Sequence, residues 1–160
     1  MIHIYTDGGC SGNPGPGGWA YIIIRERGMA NGEQENEIIS EKWGAEPSTT
    51  NNRMELQAVI SALEYLSGFL QSKEPVTVYT DSQYVQKGIT LWINDWKKRG
   101  WKTSGKKPVK NLELWQKLDR LVFEISGKSP INWTWIKGHS GDPYNEQCDL
   151  LTRKAIANMA

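Results

Sequence analysis

Four acids, Asp7, Glu55, Asp81 and Asp149, come from two strand ends and two helices, and the local pattern gives the first three a direction. Two of them close matching runs: residues 2–9 (Ile-His-Ile-Tyr-Thr-Asp-Gly-Gly) and 75–82 (Pro-Val-Thr-Val-Tyr-Thr-Asp-Ser) both alternate β-forming residues into a Tyr-Thr-Asp end. If those strands are parallel neighbours, Asp7 and Asp81 share one face. Counting back one helical turn from the stripe Val59, Ala62, Leu63 and Leu66 lands on Glu55, which turns a third acid toward the sheet. Two plainer readings stand beside these: Glu55 as a cap of its own helix, and Asp81 as an N-cap. Such carboxylates would repel one another. With no Cys pair or His pair at hand, they suit a hard cation such as Mg²⁺ or Mn²⁺. Two such ions can hold the attacking water and the leaving oxygen of a phosphodiester in line.

The elements that must position these acids can be read along the chain. Alternation sets Ile2, Ile4 and Thr6 on one face of the first strand and His3, Tyr5 and Asp7 on the other. Cys10 to Gly18 is glycine-rich but lacks the terminal Gly-Lys-Ser/Thr of a phosphate loop, and no helix follows, so it reads as a strand connection. Trp19 to Arg25 is a second strand, a polar segment holding Gly28, Asn31 and Gly32 separates it from a third at Asn36 to Trp43, and the three form an antiparallel meander. The pair Asn52 and Glu55 has capping spacing, which predicts a helix from there to about Leu66. The strand ending at Asp81 then completes a right-handed crossover parallel to the first strand. Asp81-Ser82 opens a short helical stretch toward Gly88, Asn111 is expected to cap a helix running to Ile125, Pro130 to Lys137 is a strand, and Asp142-Pro143 starts the last helix.

At 160 residues the chain is expected to be one domain spanning 1–160, with a basic protrusion at about 90–110. Its 38% hydrophobic and 23% charged residues fit a soluble protein, and the longest apolar run, Trp19 to Ile24, is too short for a membrane span. No secretory core follows Met1, and Cys10 and Cys148 have no metal-ligand spacing; both point to reduced thiols in the cytoplasm. The net charge of +1 hides a local excess. Between Trp92 and Lys110, seven cations (Lys97, Lys98, Arg99, Lys102, Lys106, Lys107, Lys110) face the single acid Asp95. Interleaved with Trp92, Trp96 and Trp101, they suit a polyanion whose phosphates are neutralised and whose bases or sugars stack. A solvated face over core tryptophans, or a basic amphipathic helix for a membrane or partner, are the alternatives.

These stretches together resemble bacterial ribonuclease HI. The resemblance rests on Thr6-Asp7-Gly8, residues 12–18, residues 50–56 (Thr-Asn-Asn-Arg-Met-Glu-Leu), residues 80–85 (Thr-Asp-Ser-Gln-Tyr-Val), Gly138-His139, Asn145-Glu146, Cys148-Asp149 and the basic segment, and it runs in order along the chain. It implies an α/β fold with a mixed five-stranded sheet in order 3-2-1-4-5, helices packed on it, and hydrolysis of the RNA strand of RNA/DNA hybrids to 5′-phosphate and 3′-hydroxyl ends. It implies Asp7, Glu55, Asp81 and Asp149 as Mg²⁺ ligands, with Mn²⁺ able to substitute, and His139 as a catalytic helper in proton transfer or product release. Asn13, Asn51, Arg53 and Gln83 match hybrid-contacting positions, Cys10, Gly12 and Tyr84 line the same surface, and Trp92, Trp96, Lys97, Lys98, Arg99, Trp101 and Lys102 would track the DNA strand. A monomer with no obligate protein partner, acting in removal of RNA primers and R-loops, is the expectation that follows.

The departures are few. Gly9 stands where serine is common, the segment between the second and third strands is a few residues longer, and Leu150-Leu151-Thr152 follows Asp149 where Leu-Ala is usual. None removes a carboxylate, and no additional domain or tail is expected. Another nuclease or strand-transfer enzyme of the same fold, or a catalytically silent hybrid-binding module, are the rival readings.

Overall fold

The computed structural model describes residues 1–71, 73–138 and 141–159. Strands β1 (Ile2–Cys10) and β4 (Val76–Thr80) are parallel neighbours with Tyr5 opposite Tyr79, so Asp7 and Asp81 each lie two residues beyond a paired tyrosine. The repeated Tyr-Thr-Asp motif is therefore a register match. β2 (Gly15–Ala30) runs antiparallel to β1, β3 (Glu33–Thr49) antiparallel to β2, and β5 (Ile131–Trp135) parallel to β4, which gives the order β3-β2-β1-β4-β5. This is the order the resemblance implied.

Helices cover both faces. On one, α1 (Asn51–Phe69) and α4 (Leu112–Ser126) bring Leu56, Val59, Leu63, Trp115 and Leu118 onto Ile2, Ile4, Val76 and Val78. On the other, Cys148 and Leu151 of α5 (Pro143–Ala157) close over Tyr5, Ala20, Ile22 and Ile24. Alternation along β1 thus sorts residues between two buried faces. Each fully buried large aliphatic side chain stabilises this sandwich by roughly 1.5–3 kcal/mol. Among the described residues no helix is long and apolar enough to cross a membrane.

Several boundaries differ from the sequence reading. The polar segment after Arg25 is not a break: β2 and β3 continue as a two-stranded extension, with Glu26 opposite Asn36 and Ala30 opposite Glu33. Asn31 and Gly32, both at positive φ (52° and 81°), make its two-residue turn, which suits the twist of an antiparallel pair. Half of the glycine-rich stretch is strand, since β2 begins at Gly15. A side chain on Gly18 would meet the Thr152 carbonyl at 2.9 Å, so this glycine lets α5 lie close on the sheet. Thr50, not Asn52, caps α1 by accepting from the Arg53 N–H at 3.2 Å, and the helix continues through Gly68. Ser82 rather than Asp81 caps the short α2 (Gln83–Lys87), accepting from the Val85 N–H at 3.1 Å.

Beyond α2 a single π-helical turn, Gly88–Trp92, leads into α3 (Ile93–Lys98). Any side chain on Gly88 would collide with the Trp115 ring, which is fully buried there. The chain then reverses through Gly100 and Trp101, both at positive φ, and Lys102 pairs with Pro108 before α4 begins.

Candidate active site

Gly8 sets the geometry. It has no room for a Cβ against the Met54 carbonyl and the Glu55 nitrogen, so the end of β1 and the first turn of α1 meet backbone to backbone. The Gly8 N–H lies near enough to both Asp7 and Glu55 to favour their ionised forms, against the larger push of burial. Asp81 joins from the end of β4, where the Trp135 indole N–H donates to its carbonyl at 3.0 Å and Gly138 passes against its carboxylate. Asp7, Glu55 and Asp81 each bring a carboxylate oxygen within 4.8 Å of the others. The sequence-based convergence of these three acids is what the structure contains.

Their electrostatics are those of a site built for positive charge. Burial, then Asp81, lifts the Asp7 carboxyl from 3.8 to about 7, and Asp149 adds to the push. Burial, then Asp7 and Asp81, holds Glu55 well above the ordinary carboxylate range. Glu55 is only 9% exposed, and its Oε2 is buried with no hydrogen-bond partner among the described residues. A buried acceptor left without a donor is costly, and a hard divalent cation among three carboxylate oxygens would remove that cost and the repulsion together. The donor set therefore fits Mg²⁺ or Mn²⁺.

The fourth acid stands apart. Asp149 is near enough to raise the pKa of Asp7, but it lies outside the three-acid cluster and pairs with Arg153 one turn along α5 at 3.0 Å. His139 lies outside the described residues.

The candidate substrate-facing residues form two groups. At the first, the Cys10 N–H donates to Asn51 Oδ1 (2.7 Å), and the Asn51 N–H donates to Asn13 Oδ1 (3.2 Å), tying the exposed turn around Gly12 to the start of α1. At the second, Arg53 donates to Glu113 Oε1 (2.7 Å) and to Asn111 Oδ1 (3.2 Å), while Asn111 Nδ2 and the Trp115 indole N–H donate to the Tyr84 hydroxyl (3.2 and 2.9 Å). Asn111 is thus no side-chain cap. It adopts a left-handed conformation at the start of α4, makes no capping bond, and links Arg53 to Tyr84. That role has no sequence signature, because the two partners lie 58 and 27 residues away. Gln83 opens α2 and is exposed.

Along the arm, Lys97, Lys98, Arg99 and Lys102 are exposed, with Lys97 also paired to Asp119 at 3.2 Å. The tryptophans divide: Trp92 is 36% exposed and packs against Tyr84, whereas Trp96 and Trp101 are half-buried on the core, Trp96 edge-on to Trp115. The aromatic interleaving is therefore partly internal packing.

Comparison with known proteins agrees with this geometry. The family profile described as RNase H matches residues 1–157. The chain is 53% identical to a ribonuclease H of Bradyrhizobium sp. over 98% of its own length and 90% of that protein, and 51% identical to one of Treponema denticola over 99% and 98%. Among solved structures, LC9-RNase H1 superposes with a TM-score of 0.80 at 34% identity, covering 99% of this chain and 73% of that one. LC11-RNase H1 in complex with RNA/DNA hybrid superposes at 0.70 and 26% identity, covering 99% of both. With the profile spanning the fold and the three-acid site alike, this chain belongs to the ribonuclease H family.

Proposed function

We propose that the chain is a single catalytic domain that hydrolyses the RNA strand of RNA/DNA hybrids by a two-metal-ion chemistry with Mg²⁺, or Mn²⁺ in its place. The observation that carries this reading is the three-acid cluster with its orphaned Glu55 oxygen, in a chain of this family. When bound, the cation supplies Lewis acidity at the scissile phosphate and lowers the pKa of an attacking water. Water adds at phosphorus and the bond to the 3′-oxygen breaks, which leaves a 3′-hydroxyl and a 5′-phosphate.

The chain's own residues supply the rest. Asp7, Glu55, Asp81 and Asp149 would hold the two ions, the first three already gathered and Asp149 beside Asp7, and the nearby Gly8 N–H favours the ionised forms of Asp7 and Glu55. Asn13 and Asn51 present a braced polar surface to the wide minor groove, where 2′-hydroxyls distinguish RNA from DNA. Arg53, Gln83 and Tyr84 face the adjoining backbone, and Trp92 with the exposed arm cations follows the DNA strand. Nucleic acid is the proposed partner, a monomer the proposed state, the cytoplasm its setting, and primer and R-loop removal its role. His139 is kept as the helper in proton transfer or product release that the resemblance implies.

Matched RNA/DNA, RNA/RNA and DNA/DNA duplexes, each with Mg²⁺ and with EDTA, test this reading. Cleavage confined to the RNA of the hybrid and abolished by EDTA is expected. Equal cleavage of the DNA duplex would favour the strand-transfer rival, and binding without cleavage would favour the silent module.

A further inference from the structure

One polar group beside the acids has no assigned task. Thr152 lies on α5 three residues beyond Asp149, so the two share a helix face. It is 3% exposed, and its Oγ is buried with no hydrogen-bond partner among the described residues. A threonine within a helix ordinarily donates back to the preceding turn or faces water. This one does neither. It stands close enough to Asp7, one of the three clustered acids, for its hydroxyl to favour the ionised carboxylate.

A buried donor without a partner beside a carboxylate that must be ionised to hold a cation has one evident use. We propose that Thr152 is a positioning residue: with a divalent cation in the three-acid site, its hydroxyl donates to one Asp7 oxygen and keeps the other directed at the ion. Groups that hydrogen-bond metal ligands from behind commonly set ligand orientation and affinity. The inference rests on the cation-site part of the proposed function and not on hybrid cleavage.

Calorimetric titration of Mg²⁺ into the metal-free full chain, without nucleic acid, tests it on three proteins. Thr152→Val keeps the shape and removes the donor, whereas Thr152→Ser keeps the donor and removes the methyl. Weakening of Mg²⁺ binding by about tenfold for valine, the low end for such groups, with serine close to the parent, is expected. Melting in EDTA should leave the valine variant at least as stable as the parent, since a poorly satisfied buried hydroxyl has been removed. Unchanged Mg²⁺ affinity in the valine variant, or an equal loss in the serine variant, would overturn the proposal. So would a parent protein that binds no cation at this site. A parent that binds Mg²⁺ through Asp7 and loses affinity with valine, yet cleaves no hybrid, would refute the proposed function and leave this inference standing.

Discussion

The acid cluster and the basic arm both gather like charge, but the fold holds them in opposite ways. Asp7, Glu55 and Asp81 are drawn into the protein by three elements, and Glu55 keeps a buried oxygen unsatisfied. The arm leaves Lys98, Arg99 and Lys102 in water and seats Trp96 and Trp101 on the core. Like charges in water repel weakly, whereas buried carboxylates meet a low dielectric. The acid cluster therefore costs the metal-free fold stability, while the aromatic base of the arm contributes it. Substitutions in the two regions should therefore move stability in opposite directions.

The largest effect is expected at Asp7. Its folded value of about 7 lies above the ordinary 3.8, so between these pH values the unfolded chain releases a proton that the folded chain keeps. Stability of the metal-free protein should then fall as pH rises from about 4 to 7, with no further loss from this group above that. Asp7→Asn should flatten the fall and stabilise the EDTA-treated protein at pH 8 by up to about 4 kcal/mol, read from urea unfolding across pH. Added Mg²⁺ should stabilise the parent more than the variant.

Next comes Gly88→Ala. The new methyl would collide with the buried Trp115 ring, displacing the indole that holds Tyr84 and braces Trp96. A loss of about 1–3 kcal/mol by urea unfolding, in the sense opposite to Asp7→Asn, is expected for such overpacking. The smallest effect on the fold belongs to the arm cations. Lys97→Ala with Lys98→Ala should leave stability nearly unchanged, because the Lys97–Asp119 pair is a surface pair worth at most ~1 kcal/mol. Its effect should appear in KM for the hybrid and in a shallower salt dependence, by about 0.9 in the log–log slope for each phosphate that is no longer neutralised.

Contrast also separates what the sequence could reveal from what it could not. The Tyr-Thr-Asp repeat was readable because strand alternation and a parallel register carry a residue pattern directly into space. Glu55 was readable from its helix stripe, though its rival role as a cap fell only once Thr50 occupied that place. The hairpin extension was hidden because it is largely exposed, so no apolar alternation marks it, although Asn31-Gly32 is a turn signal. The arm's charge was plain from composition. The division of its tryptophans depends on Trp115 and Gly88, which become neighbours only through packing. Asn111 and Thr152 escaped for the same reason: each acts on residues distant in sequence.

The most direct test of the separation between cutting and holding is Asp7→Asn assayed on one labelled RNA/DNA hybrid for both single-turnover cleavage in Mg²⁺ and equilibrium binding. Cleavage is expected to fall by about a thousandfold or more while the Kd for the hybrid stays within about threefold of the parent. Cleavage at the parental rate would contradict the assignment of Asp7 to the cation site, and a parallel loss of binding would contradict the separation itself.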